Sequence, residues 1–249
     1  MNVYVILPAA GLGTRMAAHT PSASQPAAKQ FLTLDGVPIL VHTLRAFASV
    51  PRVTAIYVAV RKSEISRVQA QVGQYLPPGS PTGEDAYIQV VEGGDTRQDS
   101  VSHALSALPC SDDDIVLVHD AVRPLIDPAT IERTIDAVAE HGAAIVALPA
   151  VDTIKQVERT AHGAIITSTI PRERIVQAQT PQGFRCDLLK RAFAEAEADQ
   201  FQGTDEASLA ERAGIQVAVV PGSPRNFKIT QPGDLELAEF YLQSAGMKA

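Results

Sequence analysis

Short apolar runs rich in Val, Ile and Ala recur along the chain at residues 3–7, 55–60, 88–92, 115–119, 144–148 and 217–220. Each is too short for a helix and is bounded by polar or turn-forming residues, so each reads as a buried strand. Among them, and after the last, lie stretches whose apolar positions recur at helical spacing: 39–48, 64–76, 98–108, 128–141, 187–198, 205–213 and 232–244. Asp127 before Pro128 and Gly142 after His141 mark one helix start and stop. Thr204 is placed to cap 205–213, with Asp205 and Glu206 in the first turn and Gly214 at the end. Strands alternating with helices predict an α/β fold, a Rossmann-like three-layer sandwich around a mostly parallel sheet. Ligands of such folds sit at the carboxyl ends of the strands.

One segment departs from this rhythm. Residues 151–178 alternate apolar and polar positions around a His162-Gly163 turn, the pattern of a protruding β-hairpin rather than another strand–helix unit. Such an arm is poorly covered within one subunit, so a homodimer formed through it is expected. No internal repeat is visible, and the chain reads as one domain over 1–249 with 151–178 as an excursion. Residues 20–28 and 77–83 read as loops.

At 249 residues, 45% of them hydrophobic, the chain can bury a substantial core. Its formal net charge of −7 argues against a surface that coats nucleic acid. Any anionic ligand must then be met by a local cluster of Arg and Lys. The opening MNVYVILPAAG reads as a strand rather than a secretion signal, and no stretch approaches the ~20 apolar residues of a membrane span, so a cytoplasmic location is expected. Cys110 and Cys186 lack metal-ligand spacing and form no disulfide framework, which predicts two reduced thiols.

The first strand runs into Pro8, Ala9, Ala10, Gly11, Leu12, Gly13, Thr14, Arg15 and Met16. Small residues let the backbone approach a polyphosphate, and successive amides can cradle it. Arg15 adds a charge with fork geometry for phosphate oxygens. A dinucleotide fingerprint is excluded because its third glycine position is Met16, and Arg61 stands where an acid should end the second strand. A Walker A loop fails too, since no Gly-Lys-Ser/Thr follows. Further on, Asp120 ends an apolar strand, where a lone carboxylate beside a triphosphate is a candidate Mg²⁺ anchor. His119 before it has no ligand partner at metal spacing and reads as structural. Gly93 to Ser100 is a glycine turn entering a helix, with Arg97 expected at a pocket rim.

The loop PAAGLGTRM followed by Lys29-Gln30-Phe31 resembles the opening of the sugar-nucleotidyltransferases. GGDTRQDS at 93–100, HDAVRP at 119–124, TPQGF at 180–184, TDEAS at 204–208 and NFKIT at 226–230 narrow the resemblance to the 2-C-methyl-D-erythritol 4-phosphate cytidylyltransferases. The ordered set covers nearly the whole chain. One departure stands out: Pro26 is separated from Lys29-Gln30 by Ala27 and Ala28. The resemblance implies transfer of CMP from CTP to 2-C-methyl-D-erythritol 4-phosphate with release of pyrophosphate. It implies that Pro8, Ala9, Ala10, Gly11, Gly13, Gly94, Asp95 and Ser100 bind CTP, and that Arg15, Lys29 and Lys228 neutralise charge at the reacting phosphates. Asp120, Arg123, Thr180 and Thr204 would bind the acceptor, joined by Thr153 and Arg172 from a partner subunit. Alternatives are a ribitol 5-phosphate cytidylyltransferase on the same scaffold, a nucleotide-binding regulator without turnover, and, more remotely, a nicotinamide dehydrogenase.

Overall fold

The computed structural model describes residues 1–11, 29–76, 87–161 and 163–244. Its centre is a seven-stranded sheet. In chain order the strands of this sheet and of two small two-stranded sheets are β1 (Val3–Pro8), β2 (Thr33–Leu34), β3 (Val37–Pro38), β4 (Val53–Val60), β5 (Tyr87–Glu92), β6 (Ile115–Val118), β7 (Ala143–Pro149), β8 (Ile154–Thr160), β9 (Gly163–Ile170), β10 (Val176–Arg185) and β11 (Ala218–Pro221). The large sheet has the order β11-β7-β10-β6-β1-β4-β5. All its pairings are parallel except those of β10, which runs antiparallel between β6 and β7.

Helices cover both faces: α1 (Ile39–Ala48), α2 (Ile65–Tyr75), α3 (Arg97–Ala107), α4 (Pro128–His141), α5 (Cys186–Ala198), α6 (Glu206–Arg212) and α7 (Pro232–Ser244). The period of two along each strand separates two cores. Val3, Val5, Leu7, Ile115 and Leu117 pack with Leu40, Leu44, Phe47, Ile131, Ile135 and Val138 of α1 and α4. Their neighbours Tyr4, Ile6, Val116 and Val118 face Val101, Ala104, Leu189, Phe193 and Leu209 of α3, α5 and α6. A strand buried on both sides has no polar face, which is why these runs read as continuous apolar segments. The expected sandwich is therefore present, with helix boundaries within two residues of those the pattern predicts.

The termini of α4 follow the expected chemistry. The Asp127 side chain accepts from the Thr130 amide, and Gly142 adopts a left-handed conformation at φ +82° to end the helix. At α6 the expectation needs correction. Asp205, not Thr204, is the cap: its carboxylate accepts from the Ser208 amide, and Ser208 reciprocates to the Asp205 backbone. Asp is as good a cap as Thr, and only the backbone path decides which of two adjacent candidates is extended.

Two other expectations change. The arm is shorter than 151–178. The hairpin comprises β8 and β9, paired from Ile154 with Ile170 to Thr160 with Gly163. From Val176 onward the chain has already joined the central sheet, against Pro149. The second correction is that Cys110 and Cys186 are joined in a disulfide, 76 residues apart in sequence. Cys110 follows α3 and Cys186 opens α5, and both helices pack on the same face of the sheet. Sequence spacing carries no trace of that adjacency.

Candidate active site

The sheet's connectivity reverses about β1, with β4 and β5 on one side and β6 on the other. Such a switch point opens a crevice at the carboxyl ends of the strands. A pocket lies there, lined by Pro8 to Gly11 at the end of β1, by Gln30 before β2, by Gly94 to Arg97 and Ser100 after β5, by Asp120, Ala121 and Val122 after β6, and by Lys228, Ile229 and Thr230.

The β1 turn is fixed by its surroundings. The Ala9 amide donates to the Ala59 carbonyl at 2.7 Å. The Ala9 carbonyl accepts from Gln30 Nε2 at 2.5 Å, and the Ala10 carbonyl from Arg61 Nε at 2.8 Å. Arg61 thus has a structural task at the position that rules out a dinucleotide acid. The turn after β5 is equally constrained. A Cβ on Gly94 would lie 2.3 Å from the Asp99 Cβ, so no other residue fits there. The Gly94 amide donates to Ser100 Oγ at 3.1 Å, and that hydroxyl donates to the Thr96 carbonyl at 2.9 Å. Thr96 and Asp99 complete a capping box at the start of α3. Ser100 therefore lines the pocket while serving the shape of its own turn.

The floor of the pocket is a charge cluster centred on Asp120. Its Oδ2 meets Arg123 Nε at 3.1 Å and Lys228 Nζ at 3.1 Å, and its Oδ1 meets Arg97 Nε at 3.4 Å. Arg97 spends its other edge on Glu206, with Nη1 to Oε1 at 2.7 Å and Nη2 to Oε2 at 2.9 Å. Arg123 also donates to the Asn226 carbonyl at 2.8 Å. Burial of Asp120 opposes its ionisation, yet Lys228, Arg97 and Arg123 together hold its carboxyl well below the usual carboxylate range. Burial likewise disfavours charge on Arg97, but Glu206 and then Asp120 raise its pKa above the ordinary arginine value. Beneath this layer Thr180 Oγ1 accepts from the Asp120 amide at 3.1 Å and sits 3.0 Å from His119 Nδ1. The result is a mouth of backbone amides and small residues over a floor of three cations sharing one carboxylate, suited to a polyanion.

The sequence matches the family model of IspD, 2-C-methyl-D-erythritol 4-phosphate cytidylyltransferase, over residues 3–244. The chain belongs to this family of cytidylyltransferases. A protein of that name from Acidobacterium capsulatum is 71% identical, across 98% of each chain. Another from Solibacter usitatus is 51% identical over 100% of this chain and 99% of the relative. Among solved structures, the Francisella tularensis 2-C-methyl-D-erythritol 4-phosphate cytidylyltransferase superposes with a TM-score of 0.73 at 34% identity, over 96% of this chain and 99% of that one. The Anaerococcus prevotii 4-diphosphocytidyl-2C-methyl-D-erythritol synthase gives 0.78 at 28% identity, over 97% and 98%.

Within this cytidylyltransferase fold, Pro8, Ala9, Ala10, Gly11, Gly94, Asp95, Ser100, Asp120 and Lys228 converge on one pocket, and Arg123 and Thr180 support it through Asp120. Gly13 and Arg15 lie outside the described residues, as does the side chain of Lys29, whose backbone opens a 3-10 turn over Lys29–Phe31. Three expected residues neither line the pocket nor touch its charge cluster. Thr204 is exposed ahead of the α6 cap, and Thr153 and Arg172 are exposed beside the hairpin, where Arg172 donates to the Val151 carbonyl at 2.7 Å. Gln30, Arg61, Thr96 and Glu206 are among the contributors not foreseen as part of the site. Arg97, expected at the rim, instead reaches the acid in the floor. Only the acidic residue in a first helical turn hinted at Glu206, and the helix dipole explained it equally well.

Proposed function

We propose that this pocket transfers the cytidylyl group of CTP to 2-C-methyl-D-erythritol 4-phosphate. The acceptor's phosphate oxygen attacks the α-phosphorus, the bond from that phosphorus to the bridging oxygen breaks, and pyrophosphate leaves with the electron pair. The observation that carries the reading is the meeting of two features: the tightly built glycine turn at Gly94, and the cluster of Arg97, Arg123 and Lys228 on Asp120. The first offers backbone groups to a base and ribose. The second offers cations already gathered and oriented, which is what joining two anions requires. As phosphate oxygens arrive, Lys228 and Arg123 can exchange part of their contact with Asp120 for the substrate, so the cluster is partly compensated before binding and available during it. Arg15 and Lys29 complete the cationic set in this reading.

A divalent cation, Mg²⁺, belongs to the reaction as a counter-ion of the triphosphate. The residues present do not make a cage for it. Both Asp120 oxygens are engaged by cationic side chains, and among the described residues no group of three potential acidic, His or Cys ligands exists. Before the triphosphate binds, Asp120 organises cations, and in this reading it stays a lone carboxylate at hand for the metal once the triphosphate draws those cations away. The phosphates supply the metal's other ligands in this reading. The homodimer also belongs here. Val157 and Ile166, paired across the hairpin, are 48% and 60% exposed, an apolar face for a second copy that would bring Thr153 and Arg172 to the neighbouring pocket. Among the described residues no helix is long and apolar enough to cross a membrane.

The test is pyrophosphate release with each of the four nucleoside triphosphates, offered 2-C-methyl-D-erythritol 4-phosphate or ribitol 5-phosphate. Release confined to CTP with the first acceptor is expected. Preference for ribitol 5-phosphate overturns the acceptor, and CTP binding without release under any condition overturns turnover itself.

A further inference from the structure

Glu206 is not part of the pocket lining, yet it is buried more completely than the pocket's own acid, 1% exposed against 7% for Asp120. It is not needed to start its helix. The N-terminus of α6 is already capped by the Asp205–Ser208 box, and Gln182 holds the same turn by accepting from the Ala207 amide at 2.9 Å and donating to Asp205 at 2.8 Å. Stability alone is also a weak reason for a buried ion pair, because desolvation offsets most of the attraction. What Glu206 does do is grip both terminal nitrogens of Arg97, at 2.7 and 2.9 Å. A guanidinium is planar, so fixing that edge sets the direction of the remaining Nε–H. That N–H points at Asp120 Oδ1, 3.4 Å away.

We propose that Glu206 is a positioning residue for the reaction: by clamping Arg97 it holds Asp120 in place, and through Asp120 the Arg123 that meets the acceptor and the Lys228 that faces the reacting phosphates. This rests on the reaction proposed above. It assigns the effect to one half of the site. Gly94, Thr96 and Ser100 are held by their own hydrogen bonds within the β5–α3 turn, without Glu206. Removing the clamp therefore loosens the acceptor and the reacting phosphates and spares the turn that holds the rest of the nucleotide.

The experiment is steady-state kinetics on the full-length enzyme, with CTP affinity measured separately by calorimetry, for Glu206→Gln, Arg97→Gln and the double variant. Glu206→Gln should lower kcat/KM for the acceptor by about a hundredfold, the scale of a small misplacement at a reacting centre. CTP affinity should stay within about threefold, and the double variant should be no more than about threefold worse than Arg97→Gln, since both changes act along one path. Glu206→Asp keeps the charge on a shorter stem and should recover part of the loss; with Arg97→Lys, which removes the fork, it also reports the same split if Glu206→Gln does not fold. Unchanged acceptor kinetics, a parallel fall in CTP affinity, or losses that multiply in the double variant would each overturn the assignment. Wild-type turnover separates the two levels. A wild type that releases no pyrophosphate overturns the reaction and this role together, while an active wild type with an unaffected Glu206→Gln overturns the role alone.

Discussion

His119 stands beside the most charged residue of the site and is itself fully buried, with its ring edge-on to Phe47. Its two nitrogens can be assigned by their partners. The Arg123 carbonyl, 3.1 Å from Nε2, can only accept, so Nε2 carries the proton; Nδ1 then accepts from the Thr180 hydroxyl, whose oxygen accepts the Asp120 amide. Every position is filled by the neutral ring, and burial lowers its pKa from 6.5 to about 4. In the unfolded chain the imidazole takes up its proton near pH 6.5, whereas the folded one resists until about 4. Its contribution to stability is therefore intact above 6.5 and is lost as pH falls through that window. Urea unfolding of the wild type should lose on the order of 2–3 kcal/mol from this group between pH 7 and 4. A His119→Asn variant, less stable at pH 7, should show a shallower decline over the same range; parallel curves would refute the assignment.

At the level of elements, β10 is the strand that distinguishes this sheet from a wholly parallel one. It enters between β6 and β7, and α4 crosses over it closely enough that Gly183 has no room for a side chain. A Cβ there would lie 2.6 Å from Val138 Cγ2 and 2.7 Å from Leu117 Cδ2. Both neighbours are fully buried and have nowhere to retreat. Gly183→Ala should cost about 1–3 kcal/mol by overpacking, read as a lower urea midpoint with an unchanged slope. A variant as stable as the wild type would mean that α4 can move off the sheet without penalty.

For the whole molecule, the hairpin of β8 and β9 has almost no buried residue of its own, and a two-stranded ribbon is marginal when isolated. A second copy supplies the missing cover in the proposed dimer. Replacing residues 154–170 by a short Gly/Ser linker should give a monomer in sedimentation experiments, with CTP binding retained and acceptor turnover abolished. A dimer that persists without the hairpin would move the interface elsewhere. The central sheet should survive the excision, because β7 and β10 hold each other directly from Pro149 and Val176.

The strands that carry the site were legible because their order is local. A run such as Tyr4 to Leu7 needs only its own neighbours to declare itself buried, and Gly142 needs only its own backbone to end a helix. The glycine turn at Gly94 and the small residues after β1 were legible for the same reason, since close approach of backbone leaves a trace in residue size. What stayed hidden depends on partners far along the chain. β10 is absent from the apolar runs, its first residues read as the end of the arm, because Gln179 and Gln182 interrupt its apolar pattern, and only the fold shows that both are buried and hydrogen-bonded, to Ser223 and Asn226 and to Asp205 and Ala207. The Cys110–Cys186 bridge and the Arg97–Glu206 clamp join residues 76 and 109 positions apart. By itself, then, the order of residues determined the layers, the crevice and the kind of ligand it accepts. Tertiary structure alone decided which charges meet, because a carboxylate becomes an anchor, a cap or a clamp according to what the fold buries beside it.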